Sequence, residues 1–114
     1  MKTVFITGGS TGIGAASVKK FIQQGWNVGF MDINEEAARE RMEEINRPEQ
    51  LIFVPGDTRN RADIHRAVEE TVKRFGRLDS VVANAGIHRC NTLLDISDEE
   101  LDLMIQTNIY GTVN

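Results

Sequence analysis

The chain has 114 residues, 40% of them apolar, which is material for one hydrophobic core and a single domain spanning residues 1–114. Its formal net charge is −4 with acidic and basic side chains interleaved, so there is no basic stripe to follow a phosphate backbone and nucleic acid is not an expected partner. One cysteine, Cys90, allows no internal disulfide and fits a reducing compartment, and Val4, Phe5 and Ile6 before Gly8 are too few for a signal segment or a membrane span, so a soluble cytoplasmic protein is expected.

Short apolar runs open at Val4, Val28, Leu51 and Val81, roughly 25 residues apart, and each interval carries helical periodicity. This alternation predicts βαβ units and a parallel sheet. The first strand passes through a glycine-rich turn into a helix that begins near Gly12, turns Val18, Phe21 and Ile22 inward, and ends at a left-handed Gly25. Trp26 and Asn27 lead into a second strand, Val28 to Asp32. The next helix has Asn34 as its cap, Ala38, Met42 and Ile45 at helical spacing, a charged outer face and Pro48 as its stop. Leu51 to Val54 reads as a buried strand bounded by Pro55 and Gly56, and the helix after it places Ile64, Val68, Val72 and Phe75 in one stripe before Gly76. Leu78 to Ala83 is the fourth strand. Ser97 and Glu100 make a capping box for a fourth helix that turns Leu101, Met104 and Ile105 toward the core. No C-cap glycine or proline closes that helix before Asn114, so the chain is expected to be the N-terminal part of a longer protein.

The residues with chemical meaning begin at Thr7-Gly8-Gly9-Ser10-Thr11-Gly12-Ile13-Gly14, between the first strand and the first helix. Glycine permits positive φ, lets backbone N–H groups approach a pyrophosphate, and lets the helix pack close to the strand. The helix N-terminus adds a positive dipole end worth ~0.3–1 kcal/mol to an anion. A tight turn without a ligand would explain one or two of these glycines, but not Gly8, Gly9, Gly12 and Gly14 together in a strand-turn-helix setting. G-x-G-x-x-G is not met, because Ser17 stands where its third small residue belongs; Gly8, Gly12 and Gly14 follow G-x-x-x-G-x-G instead. No lysine follows a glycine as in a P-loop, which argues against a nucleoside triphosphatase. Asp32 lies 18 positions beyond Gly14, where a carboxylate can accept hydrogen bonds from adenosine ribose hydroxyls and repel a 2′-phosphate. Neither Ser10, Thr11 nor Ile33 is a cation able to receive that phosphate, so NAD is expected in preference to NADP. The same carboxylate can also cap the following helix without conflict.

Thr7 to Gly14, then Asp32, Gly56-Asp57-Thr58 after the third strand, Asn84-Ala85-Gly86-Ile87 after the fourth, and Asn108 in the fourth helix run in order along the whole chain and together resemble the classical short-chain dehydrogenases/reductases. The resemblance implies an α/β fold of the Rossmann type, a doubly wound parallel sheet ordered 3-2-1-4 here and cut short in helix four, with a ligand crevice at the carboxyl edge between strands one and four. It implies a cofactor site formed by Gly8, Ser10, Thr11, Gly12, Ile13, Gly14, Asp32, Ile33, Asp57, Thr58, Asn84, Ala85 and Gly86. Within it, Asp57 would take the adenine amino group, Asn84 would tie strand four to its neighbours, and Ala85 and Gly86 would line the adenosine ribose. Thr11 stands where the extended branch, which includes sugar-nucleotide epimerases, usually has glycine. The activity implied is hydride transfer between nicotinamide and a small secondary alcohol or its ketone, by a protein that self-associates as a dimer or tetramer.

Asn108 is the one residue of catalytic type. It follows Leu101, Met104 and Ile105 at intervals of seven, four and three, which points it toward the apolar face, where an unmet amide costs ~1–3 kcal/mol. A satisfied core asparagine is the plain reading. The resemblance implies that it bends helix four, binds a water and joins a proton relay with a serine and a Tyr-x-x-x-Lys pair. Those partners are missing: the only tyrosine, Tyr110, has Asn114 four residues on, and no lysine follows Lys73. His65 reads as solvent-facing, His88 as a loop residue, and no metal-ligand spacing occurs. The 114-residue chain alone is therefore expected to bind without catalysing. The alternatives are a non-catalytic NAD-binding sensor or scaffold and, ranked last, an epimerase or dehydratase of the extended branch.

Overall fold

The computed structural model describes residues 1–87 and 94–114. Strands β1 (Thr3–Thr7), β2 (Asn27–Asp32), β3 (Leu51–Pro55) and β4 (Ser80–Ala83) alternate with helices α1 (Gly12–Gln23), α2 (Glu35–Ile45) and α3 (Arg61–Phe75). Beyond β4 come α4 (Asp98–Ile105), a π-helical turn over Gln106–Tyr110, and a last turn α5 (Gly111–Val113). All strand pairs are parallel and the sheet order is β3-β2-β1-β4, as expected.

The period of two along each strand divides the core into two layers. Val4 and Ile6 of β1, Val28 and Phe30 of β2, and Leu51 of β3 pack against Val18 and Ile22 of α1 and Ala38 of α2. Phe5, Met31 and Val54 point the other way, onto Ala67 of α3. Burial on both faces accounts for the unbroken apolar runs. Asn34 caps α2 by accepting from Ala37 N at 3.0 Å, and Gly25 is left-handed, both as read from the sequence. The end of α2 is made by Asn46, left-handed at φ 48°, whose N–H bonds Met42 O at 2.9 Å two residues before Pro48 is reached.

Three expectations need correction. β4 begins at Ser80, two residues later than Leu78, because Leu78 packs against the core layer of Phe5, Met31, Val54 and Ala67 and Asp79 turns to bind the start of β1. The buried stripe of α3 runs through Ala67 and Thr71, while Val72 is 38% exposed. Gly29 of β2 decides this. It has no side chain, so Thr71 fills its place, and a Cβ on Gly29 would lie 2.1 Å from Thr71 Oγ1. That buried hydroxyl is satisfied by donating to Ala67 O at 2.8 Å. Finally, Leu101 and Ile105 do not face the core: they are 46% and 37% exposed. On α4 it is Leu103, with Thr107 one turn on, that faces inward, and residues two positions away lie roughly 200° around a helix.

Asp79 latches the strand start. Its carboxylate accepts from Thr3 N at 2.9 Å and from Arg77 Nε at 2.8 Å. The Arg77 hydrogen bond, then that from Thr3 N, hold its pKa below the usual aspartate value. A folded pKa below the unfolded one contributes stability above about pH 4, and that contribution disappears as pH falls through the folded value. Asp79→Asn is therefore expected to melt lower than the parent at pH 7, with the gap closing as pH falls below about 4. Melting curves taken across that range check it, and a gap that persists unchanged at pH 2 would count against the latch.

Candidate functional site

The carboxyl ends of all four strands open into one cavity of about 580 Å³, inside the ordinary range for small-molecule sites. Its wall takes Gly8, Thr11 and Ile13 from the turn after β1, Asp32 and Ile33 from the end of β2, Asp57, Thr58 and Arg59 from beyond β3, and Asn84, Ala85, Gly86 and Ile87 from beyond β4. Leu103 and Thr107 complete it from the last helix. Ten of the sequence-predicted residues thus meet at one surface. Ser10, Gly12 and Gly14 are not on that wall. Ser10 is 1% exposed, and its hydroxyl is buried with no partner.

The glycines of the turn do different work. Gly8 and Gly12 take φ of +71° and +56°, a region costly for other residues. Gly14 is needed for space: a Cβ there would fall 1.9 Å from Gly8 O. Close packing of α1 on this turn brings the helix N-terminus to the cavity, where Thr11 makes no side-chain cap. By contrast α2, α3 and α4 are each capped by their own side chain, from Asn34, Asn60 and Ser97. The first N–H groups of α1 therefore remain open to an acceptor from outside the chain.

Asp32 sits beside that terminus. Its Oδ2 accepts from Ser10 N at 3.1 Å and its Oδ1 from Asn34 N at 3.0 Å, so the carboxylate braces the turn and the start of α2 together. Each oxygen keeps a lone pair for a further donor.

Asn84 ties β4 to β1. Its Nδ2 donates to Thr7 O and Gly8 O, both at 3.2 Å, while the Thr7 hydroxyl accepts from Asn84 N and Ala85 N at 3.1 Å. Asn108 is exposed, not pointed into apolar packing, because its amide is matched to the loop after β4. Oδ1 accepts from Ile87 N at 2.7 Å and Nδ2 donates to Ile87 O at 2.9 Å, joining the π-helical turn to the cavity wall. π-Turns often mark functional sites.

Asp57 is engaged within the chain. Its carboxylate is held by Arg59 through the guanidinium and the backbone N–H, and that hydrogen bonding keeps its pKa below the aspartate range. Arg59 is a cavity residue that sequence reasoning missed. Its only signal was an arginine two positions past an aspartate in a turn. Thr58, 7% exposed, packs under Gly111, and Asn114 Nδ2 donates to Thr58 O at 3.1 Å, so the last helical turn clamps this segment. His65 is exposed as expected, whereas His88 and Cys90 lie outside the described residues. Among the described residues no group of three His, Cys, Asp or Glu could hold a metal ion, and no helix is long and apolar enough to cross a membrane.

A doubly wound parallel sheet with a glycine-rich turn, an open helix N-terminus and an acid at the end of β2 defines a Rossmann-type dinucleotide fold. The short chain dehydrogenase family profile matches residues 2–114, and the chain belongs to that family of oxidoreductases, which bind a nicotinamide cofactor. It is 39% identical over 112 residues to L-fucose dehydrogenase of Mus musculus, covering 97% of this chain and 40% of that protein. A short-chain dehydrogenase/reductase of the glucose/ribitol dehydrogenase type from Brucella melitensis superposes with a TM-score of 0.93 at 27% identity, over 98% of this chain and 48% of the other. The 3-ketoacyl-(acyl-carrier-protein) reductase of the same organism, solved with NADH, gives 0.90 at 31% identity, over 98% and 46%. The chain thus spans less than half the length of these relatives.

Proposed function

We propose that this segment forms the cofactor site of an NAD-dependent oxidoreductase that moves a hydride between nicotinamide and a small secondary alcohol or its ketone. One juxtaposition carries the reading: the Asp32 carboxylate and the uncapped start of α1 face the same cavity. The open N–H groups of α1 bind the pyrophosphate, and Asp32 takes the adenosine ribose hydroxyls through its spare lone pairs. A 2′-phosphate would meet that negative charge. Among the described residues Arg59 is the only cation on the cavity wall, and it is paired with Asp57. Ile13 and Ile33, 79% and 68% exposed on the same wall, gain an apolar cover when the adenosine half is seated. Asp57 then accepts from the adenine amino group.

Nicotinamide, when bound, supplies the hydride-carrying carbon C4. The chain's own part is to bind and orient. Asn108 cannot exchange a proton, since an amide has no useful pKa near neutrality and both its ends are engaged by Ile87. Its side chain holds Ile87 in place. No Tyr-x-x-x-Lys pair is present in residues 1–114 to act as general acid and base. The experiment follows NADH absorbance with NAD and a panel of secondary alcohols. A full-length protein is expected to form NADH, and the 114-residue polypeptide, its mass confirmed, to form none. Appreciable NADH from the short chain would mean that the catalytic groups have been misplaced, and a full-length protein with no affinity for NAD would refute the reading.

A further inference from the structure

The acceptor assigned above to the adenine amino group is already occupied. Asp57 Oδ1 accepts from Arg59 N at 2.9 Å and from Arg59 Nε at 3.1 Å, while Oδ2 accepts from Nε at 2.9 Å and from Nη2 at 2.5 Å. A carboxylate has about four lone-pair sites, so these four contacts leave none for an incoming donor. The backbone contact belongs to the turn, but the three guanidinium contacts can open. The pair is only partly buried, with side-chain exposures of 40% for Arg59 and 25% for Asp57, and such pairs are weakly held. Both Asp57 and Arg59 line the cavity.

We propose that Arg59 is a built-in competitor for the nucleobase: its guanidinium fills the Asp57 carboxylate in the free protein and swings out toward solvent, to which its side chain is already 40% exposed, when a base with an exocyclic amino group arrives. The proposal rests on the NAD reading and deepens it into a statement about base selection. An amino group can replace the Arg59 donors on Asp57. A base with an oxo group at that position cannot, and would instead accept from Arg59 and leave the pair closed. Arg59 and Asp57 therefore pull in opposite directions, toward oxo and amino bases respectively.

The test is calorimetric titration of the full-length protein with NAD and with nicotinamide hypoxanthine dinucleotide, which carries an oxo group in place of the amino group. Arg59→Ala is expected to bind NAD about threefold tighter, the gain from releasing a partly exposed ion pair, and to bind the hypoxanthine dinucleotide no tighter than the parent does. Arg59→Lys, which keeps the charge but loses the two-pronged grip, should lie between and guards against a fold defect in the alanine variant. Raising salt from about 50 to about 500 mM should narrow the gap in NAD affinity between parent and variant, because an exposed pair is screened. If both variants bind NAD as the parent does or more weakly, Arg59 is not a competitor, although the NAD reading stands. If the parent binds no NAD, both fall.

Discussion

Asp32→Ala is expected to weaken NAD binding roughly a hundredfold in the full-length protein, since two charge-assisted hydrogen bonds to the ribose are worth ~3 kcal/mol together. Affinity for NADP should fall less or rise, because the same change removes the charge that opposes a 2′-phosphate. The fold complicates a simple reading of this variant. Asp32 also accepts from Ser10 N and Asn34 N, and alanine leaves both donors without that partner. Asp32→Asn removes the charge while its single amide oxygen keeps one of the two backbone contacts, so it disturbs the turn less than alanine does. A loss of NAD affinity as large in Asp32→Asn as in Asp32→Ala, with a smaller fall in melting temperature, identifies a ligand contact. Unchanged NAD affinity in the alanine variant, with no gain for NADP, would refute the assignment.

Gly14→Ala should destabilise the folded protein by about 3 kcal/mol or more, at the upper end of overpacking costs. The added Cβ would stand 1.9 Å from Gly8 O and 2.7 Å from Asn84 Nδ2. Neither contact is with a flexible chain end: one is backbone, and the other is an amide held by Thr7 and Gly8. Relief requires α1 to move away from the turn, which also withdraws its N-terminus from the cavity. Thermal unfolding and NAD titration should therefore fail together. Gly12→Ala is the control, because nothing lies within 4 Å of a Cβ there and only its φ of +56° is strained. A Gly14→Ala protein with parental stability would show that the strand-helix contact is looser than described.

Much of this fold could be read along the chain. The alternation of apolar runs with helical stretches determined a parallel sheet, since strand and helix periods are local properties and short connections between parallel strands leave few topologies. Asn34 as a cap and Gly25 as a left-handed end were legible for the same reason: a turn is made by its own neighbours. So was the glycine-rich turn, although the sequence could not say which glycine supplies positive φ and which supplies room. Tertiary structure decided that, by setting Gly14 against the Gly8 carbonyl and leaving Gly12 in open space. It also decided how each helix is rotated about its axis. Periodicity allows neighbouring stripes with almost equal apolar content, and on α3 the choice of Thr71 over Val72 was made by a missing side chain on Gly29 of another strand. On α4 the cavity claimed Leu103 and left Leu101 and Ile105 outside. Long-range partners were beyond the sequence altogether. Asn108 meets Ile87 across 21 positions, and the grip of Arg59 on Asp57, though only two positions apart, depends on side-chain geometry that no spacing rule encodes. What the sequence determined by itself was the order of elements and the turn chemistry between them; what only the folded chain decided was which side chains those elements bring face to face, because that depends on distances between residues far apart along the chain.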